Sequence, residues 1–243
     1  MFSRVGGKSR LKNQIIELIP SHKTYVEPFV GAGAVFFGRK NKSDIEVIND
    51  IDKDIYDIFQ DMKDVGDSFI TKPFIPTRLE FNDLLNKTSF NNNEDRLYRN
   101  LYLSRFSYCG NRLRYKGEKW EKYRQSWGSN LKKDKWMKRL KNVNIYNEDA
   151  RDVIKKYDSI DTFFYLDPPY SKLKNNWGYN YNTINNNDML EILKSIKGKF
   201  LMTYDNTPEN RSLFKDFTVI IVNTSYKLSG NHKTITELFI MNY

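Results

Sequence analysis

Tyr25-Val26-Glu27-Pro28-Phe29-Val30-Gly31-Ala32-Gly33 decides the fold. Tyr25 to Phe29 has the composition of a buried strand, the glycines give a tight turn, and a short helix through Phe36 and Phe37 follows, so the stretch is a strand, glycine turn, helix unit. Upstream, Leu11, Ile15, Leu18 and Ile19 recur at helical spacing between the Gly6-Gly7 turn and Pro20, with Lys8 at the start of that helix. Downstream, Ile45 to Ile48 makes a second buried strand with Asn49-Asp50 at its carboxyl end, and Ile51, Ile55, Ile58 and Phe59 mark the next helix. Strand and helix alternate, which predicts a mostly parallel α/β sheet.

Pro73 and Pro76 break the rhythm, and Thr77-Arg78-Leu79-Glu80 fits a capping box that opens a helix. Helical spacing covers Arg78 to Asn86, Glu94 to Leu103 and Leu131 to Leu140, with an irregular stretch from Ser107 to Asn130. Alternation then resumes with strands at Asn144 to Tyr146, Thr162 to Leu166, Lys199 to Tyr204 and Thr218 to Thr224, and helices at Ala150 to Lys156, Asn187 to Ile196 and Glu209 to Lys215. Glu237 to Met241 is expected to pair back through Ser229-Gly230-Asn231 as an antiparallel edge. The expected organisation is a Rossmann-like domain built from residues 1–72 and 143–243, with a mainly helical lobe, residues 73–142, inserted between them.

A chain of 243 residues suffices for one well-filled core carrying such a lobe. Its formal charge is +10, yet the stretch from Arg96 to Lys141 alone sums to +12, so all the excess positive charge lies in the insert. Phe106, Tyr108, Tyr115, Trp120, Tyr123, Trp127 and Trp136 are interleaved there. Basic side chains neutralise phosphates and aromatic rings stack on or wedge between bases, so this lobe is read as a nucleic-acid surface rather than a merely solvated basic face. Cys109 is the only cysteine, which excludes an internal disulfide and suits a reducing compartment. With only His22 and His232 beside it, no metal site of the usual His/Cys kind is expected. No apolar run is long enough for a membrane span, and Met1 to Arg10 has no signal core.

The chemistry concentrates at Asp167-Pro168-Pro169-Tyr170, immediately after an apolar strand. An exocyclic amine such as that of adenine is a poor nucleophile because its lone pair is delocalised into the ring. A carboxylate from Asp167 and the carbonyl of Pro168 can each accept one of its N–H groups and draw the nitrogen toward a tetrahedral geometry. Two prolines make the corner rigid, and Tyr170 can stack on the base. A Pro-Pro turn beside a packed tyrosine is the plainer reading of these four residues alone; their place at a strand's carboxyl end, where open α/β sheets bind ligands, favours the chemical one. Gly31 and Gly33 would let backbone approach a cofactor, and Asp50, at the end of the next strand, could accept hydrogen bonds from ribose hydroxyls or simply cap the following helix. Asp149, at the end of another strand, could meet the adenine of a cofactor or simply serve as the N-cap before Ala150.

Gly6-Gly7-Lys8, Glu27 to Gly33, Asn49-Asp50 and Asp167 to Tyr170, in this order over nearly the whole chain, resemble the motifs of Dam-type DNA adenine-N6 methyltransferases of bacteria, phages and large DNA viruses. The resemblance implies a class I methyltransferase fold, S-adenosylmethionine as cofactor and double-stranded DNA as partner. It implies a cofactor pocket lined by Gly6, Gly7, Lys8, Glu27, Phe29, Gly31, Gly33, Asp50, Ile51, Asp149, Ala150 and Asp167, with catalysis by Asp167, Pro168, Pro169 and Tyr170 on an adenine extruded from the duplex. Tyr179 or Tyr181 would help close the loop after that corner. The stretch from Tyr108 to Glu118 is similar to the family's recognition hairpin, in which an arginine reads a guanine edge. Arg4, Arg105, Tyr108, Asn111, Arg112, Arg114, Lys116 and Arg124 are the implied DNA contacts. The segment between Gly110 and Gly117 is one residue shorter than the family's usual form, which leaves Arg112 and Arg114 as alternatives, and Arg4 stands where many members carry an aromatic residue.

A similar corner also serves RNA adenine or DNA cytosine-N4 methylation, and a degenerate fold could survive as a DNA-binding module without catalysis. Asp at the first position of the corner and the Gly-Gly-Lys start favour adenine in DNA, and Gly31, Gly33, Asp50, Asp167 and Tyr170 all retain the residue types catalysis needs. A monomer or weak dimer in the cytoplasm is expected, or the nucleus for a viral enzyme, with a cognate restriction endonuclease as an allowed partner.

Overall fold

A computed structural model of the chain describes Phe2, Arg4 and residues 6–65, 74–117, 133–170, 184–228 and 231–243. The expectations for Pro73, Trp120, Tyr123, Arg124, Trp127, Tyr179 and Tyr181 lie outside the described residues.

Among the described residues the strands are β1 (Thr24–Glu27), β2 (Ile45–Asn49), β3 (Asn144–Tyr146), β4 (Thr162–Leu166), β5 (Lys199–Asp205), β6 (Thr218–Leu228) and β7 (Asn231–Met241). They form one sheet in the order β3-β2-β1-β4-β5-β7-β6. β1 pairs in parallel with β2 and β4, and β4 with β5, while β7 runs antiparallel to both β5 and β6. The antiparallel C-terminal strand is therefore present, but it is not outermost. β7 enters between β5 and β6, where Leu238 and Ile240 are buried, and leaves the partly exposed β6 at the edge. The order reverses between β1 and β4, so the carboxyl ends of these two strands flank the switch point at which such sheets bind ligands.

The chain divides into two compact units. One comprises Lys8–Ile51 and Tyr146–Tyr243. It carries helices α1 (Lys12–Glu17), α2 (Ala34–Gly38), α7 (Ala150–Tyr157), α8 (Asn186–Ser195) and α9 (Pro208–Leu213). Side chains alternate across the strands, so Val26, Phe164, Leu166, Met202, Leu238 and Ile240 share a face that packs on Val153, Ile154, Met189, Leu193 and Phe214. Burial of each such side chain contributes roughly 1.5–3 kcal/mol. The other face carries Tyr25, Glu27, Tyr165, Thr203 and Glu237, which makes it polar at its carboxyl end.

The second unit comprises Met1–Gly7 and Asp52–Ile145, with α3 (Lys53–Val65), α4 (Arg78–Asn86), α5 (Asn93–Phe106) and α6 (Lys133–Leu140). α3 packs with α5: Arg96 grips the buried Asp61 through Nε at 2.9 Å and Nη2 at 2.5 Å, and Ile55, Ile58, Phe59 and Met62 are buried on that helix. Only the N-cap half of the expected capping box forms: Thr77 Oγ1 accepts from the Glu80 N–H at 3.1 Å, while the Thr77 N–H donates to the Tyr102 hydroxyl at 3.0 Å instead of to the Glu80 side chain.

Candidate active site

At the carboxyl end of β4, Asp167 is held by two donors on one oxygen. Thr203 Oγ1 of β5 donates to Oδ1 at 2.8 Å, and the Lys8 ammonium lies 2.9 Å from the same atom. Asp167 Oδ2 accepts no hydrogen bond among the described residues. Lys8 is buried, with a side chain only 4% exposed, and it also reaches Glu237 Oε2 at 3.4 Å and donates to the Tyr170 hydroxyl at 2.8 Å. That hydroxyl donates in turn to Glu237 Oε2 at 2.9 Å. The Tyr170 ring sits edge-on to Tyr204 at 5.4 Å, Pro168 is buried and Pro169 is exposed.

The electrostatics follow from burial and from two carboxylates facing one ammonium. Burial pulls the Lys8 ammonium down, but Asp167 and Glu237 outweigh it and hold Lys8 well above its ordinary value, so it stays charged. Burial pushes the Asp167 carboxyl up, opposed by Lys8, which makes it a more basic acceptor than an ordinary aspartate. Glu27, at the end of β1, is fully buried and takes a hydrogen bond from the Tyr25 hydroxyl at 2.8 Å. Burial first, with Asp167 adding to it, pushes its carboxyl up to about 8 against the opposing pull of Tyr25 and Arg39.

The glycine turn and the acid after β2 are joined directly. Gly31 (φ 50) and Gly33 (φ 68) occupy the left-handed region, where a side chain is strained, and the Gly31 N–H donates to Asp50 Oδ2 at 2.9 Å. The cap at the start of α3 is made by Asp52, whose Oδ1 accepts from the Asp54 N–H at 3.1 Å, so Asp50 is not spent there. Asn49 ties three strand ends together: its Nδ2 donates to the carbonyls of Pro28 at 2.9 Å and Glu148 at 3.1 Å, and its Oδ1 accepts from the Glu148 N–H at 2.9 Å. Phe29 is half-buried against the core and Ile51 is 47% exposed. Asp149 caps α7, where it accepts from the Arg151 N–H at 2.8 Å and from its guanidinium at 2.9 and 2.5 Å; these bonds hold its carboxyl below the usual range. Ala150 is buried at the start of that helix.

The second unit carries the predicted recognition hairpin. Tyr108 N–H donates to the Arg114 carbonyl at 2.7 Å and Lys116 N–H to the Phe106 carbonyl at 2.8 Å, pairing its two arms. Asn111 Oδ1 closes the turn by accepting from the N–H groups of Leu113 at 3.0 Å and Arg114 at 3.3 Å. Arg112 has a left-handed backbone (φ 59), and its guanidinium is paired with Asp52 and, at 3.0 Å, with Asp54. Arg4 pairs with the same Asp52 at 2.9 Å. Leu113, Arg114 and Tyr108 are exposed. Lys116 Nζ donates to the Arg105 carbonyl at 3.2 Å, and burial lowers the Arg105 guanidinium. Gly6 (φ 80) and Gly7 form a turn, closed by the Gly7 N–H on the Arg4 carbonyl at 3.2 Å.

Lys8, Asp167 and Tyr170, 162 residues apart at the extremes, thus meet in one cluster. Thr203 and Glu237 escaped the sequence reading, although a glutamate inside the apolar run Glu237 to Met241 was a signal that could have found the second. Among the described residues no group of His, Cys, Asp and Glu could hold a metal ion, and no helix is long and apolar enough to cross a membrane.

A reversed final strand pair, a glycine turn after β1, an acid after β2 and the Asp-Pro-Pro-Tyr corner after β4 define a Rossmann-like class I methyltransferase. Residues 5–228 match the model of the D12 class N6 adenine-specific DNA methyltransferases, and the chain belongs to that family. It is similar to the type II methyltransferase M.MjaIII of Methanocaldococcus jannaschii, at 27% identity over 98% of this chain and 96% of the relative. It is also similar to the type II methyltransferase M.CviBI of Paramecium bursaria Chlorella virus NC1A, at 22% identity over 98% and 97%. The DNA adenine methylase of Escherichia coli K12 matches at 27% identity over 69% of this chain and 63% of the relative. The protein is accordingly an adenine-specific DNA methyltransferase.

Proposed function

We propose that the chain transfers a methyl group from S-adenosylmethionine to N6 of an adenine extruded from double-stranded DNA, with Asp167 and Pro168 as the acceptors that activate the amine. The observation that carries this is the one-sided anchoring of Asp167: Oδ1 is taken by Lys8 and Thr203, while Oδ2 has no partner among the described residues. An ionised oxygen held in that way can accept one amine N–H without first reorganising, and the carbonyl of Pro168 can accept the other. Tyr170, fixed at its hydroxyl, offers its ring to the base.

S-adenosylmethionine, when bound, supplies a methyl group on a positively charged sulfur. The residues present suit it. Asp50, fixed by the Gly31 N–H at the end of β2, would accept from ribose hydroxyls, and the exposed Ile51 beside it offers apolar cover for an adenine ring. Phe29, Gly33, Glu27, Lys8, Asp149 and Ala150 complete the pocket on this reading, with Gly6 and Gly7 shaping the chain that leads to Lys8. The two-sided grip of Arg151 on Asp149 favours a structural share in the latter's role.

Residues 1–72 and 143–243 then form the cofactor-binding and catalytic part, and 73–142 the target-recognition part. Arg114 is the better candidate to read a base, because it is exposed on the hairpin whereas Arg112 and Arg4 are bound to Asp52. Tyr108, Arg105, Lys116 and Arg124 would add phosphate or stacking contacts, and Asn111 would hold the turn. A monomer or weak dimer acting in the cytoplasm, or in the nucleus if viral, with or without a restriction endonuclease, completes the reading. Asp167→Ala tests it. Methyl transfer should be nearly abolished while S-adenosylmethionine still raises thermal stability and DNA is still bound; unimpaired turnover would remove the mechanism.

A further inference from the structure

We propose that Glu237 is a positioning residue for methyl transfer. It holds the Lys8 ammonium and the Tyr170 hydroxyl so that Asp167 keeps one oxygen open to the amine and the tyrosine ring keeps one orientation for the base. The inference rests on the assignment of Asp167 and Tyr170 made above.

Glu237 lies in β7, paired with Asp205 of β5 and Val222 of β6, and is 3% exposed. A carboxylate inside a sheet is costly unless it is compensated by charge and hydrogen bonds. Its compensation comes from the site itself. Glu237 Oε2 accepts from Tyr170 at 2.9 Å and faces Lys8 at 3.4 Å, Lys8 donates to Tyr170 at 2.8 Å, and Lys8 pairs with Asp167 at 2.9 Å. The Tyr170 hydroxyl thus donates to Glu237 and accepts from Lys8, which fixes the far end of its ring. The Tyr204 ring, edge-on at 68°, bounds the near side.

The charge arrangement has a second effect. One ammonium is shared by two carboxylates, so Lys8 anchors Asp167 without neutralising it. If the charge of Glu237 is removed, the full attraction of Lys8 falls on Asp167, which becomes the weaker acceptor just where the amine must be engaged. The tyrosine hydroxyl at the same time loses its ionised acceptor. A glutamate that served only to keep Lys8 charged within the fold would, when replaced, cost stability without touching the rate of the folded enzyme.

The test uses the full chain with Glu237→Gln, Tyr170→Phe, the double variant and Tyr170→Ala. Each is measured by single-turnover methyl transfer to duplex DNA, thermal unfolding, and fluorescence of 2-aminopurine placed at the adenine that the unaltered enzyme methylates. Glu237→Gln is expected to slow transfer by roughly tenfold or more while KM for both substrates stays within about twofold. The double variant should be no slower than the slower single one, because both act through the same hydroxyl. 2-Aminopurine fluorescence should change in Glu237→Gln, which a merely structural role would not produce. A Glu237→Gln rate within about twofold of the unaltered enzyme, or losses that multiply in the double variant, would overturn the proposal. Should Glu237→Gln not fold, Tyr170→Phe alone decides: its slowing without loss of thermal stability supports the network, and its normal rate overturns it. Normal turnover by Tyr170→Ala would bring down the stacking assignment as well, whereas slow Tyr170→Ala beside normal Glu237→Gln would remove only the role of Glu237.

Discussion

Replacing Glu27 with Gln should stabilise the protein increasingly as pH rises from about 4.5 to about 8. The carboxyl is fully buried at the end of β1, and burial, with Asp167 adding to it, raises it from 4.5 to about 8 in the folded chain. The unfolded chain releases this proton near the ordinary value while the folded chain keeps it. Across that window the folded state binds more protons, and stability falls as pH rises through it. At 1.36 kcal/mol per pH unit the full window amounts to at most roughly 5 kcal/mol, and relaxation of the site would bring a measured effect nearer 2–3 kcal/mol. Glutamine cannot ionise, yet its carbonyl still accepts from the Tyr25 hydroxyl, so the packing is preserved. Urea unfolding of both proteins without cofactor, at pH 5, 6, 7 and 8, reads the difference directly. A gap that widens toward pH 8 and levels off above it supports the argument. A gap independent of pH would refute it, because Glu27 would then titrate alike in both states.

Arg112→Ala should destabilise the chain by about 2 kcal/mol or more in urea, since it strips a partner from the buried Asp52, whereas Arg114→Ala should leave stability within about 0.5 kcal/mol. In DNA competition assays Arg114→Ala should relax sequence preference by roughly 1–3 kcal/mol, and equal loss on every sequence would count against base reading. Thr77→Ala should cost about 1 kcal/mol of stability through the lost cap. Asn49→Ala should cost roughly 2–3 kcal/mol, because it orphans the Pro28 and Glu148 backbone groups it now satisfies, with urea unfolding as the measure for both.

What could be read in advance was local. The N-cap at Thr77 depends on neighbouring residues, the β1 turn on glycines two positions apart, and the corner at Asp167 on a strand that ends one residue before it, so each was visible in the chain. What could not be read depends on contacts between distant segments. Thr203 joins the site because β5 lies beside β4, and Glu237 because β7 pairs with β5, neighbours that strand periodicity does not encode. Arg112 and Arg114 have the same chemistry in sequence; only the fold shows that Arg112 pairs with Asp52, 60 residues away, while Arg114 is exposed. Asp50 and Asp149 were each readable as a cofactor ligand or a helix cap, and only the fold shows which caps form: Asp149 caps α7, while Asp52 caps α3. The Arg96 grip on Asp61, which joins α5 to α3, is equally remote in sequence.

The measurement that tests the central claim most directly is transfer of labelled methyl from S-adenosylmethionine to duplex DNA, with nucleoside analysis of the product and Asp167→Ala as control. N6-methyladenine formed by the unaltered protein and lost in the variant is the predicted result. Label on cytosine, label on structured RNA in preference to duplex DNA, or undiminished N6-methyladenine from Asp167→Ala would contradict the account.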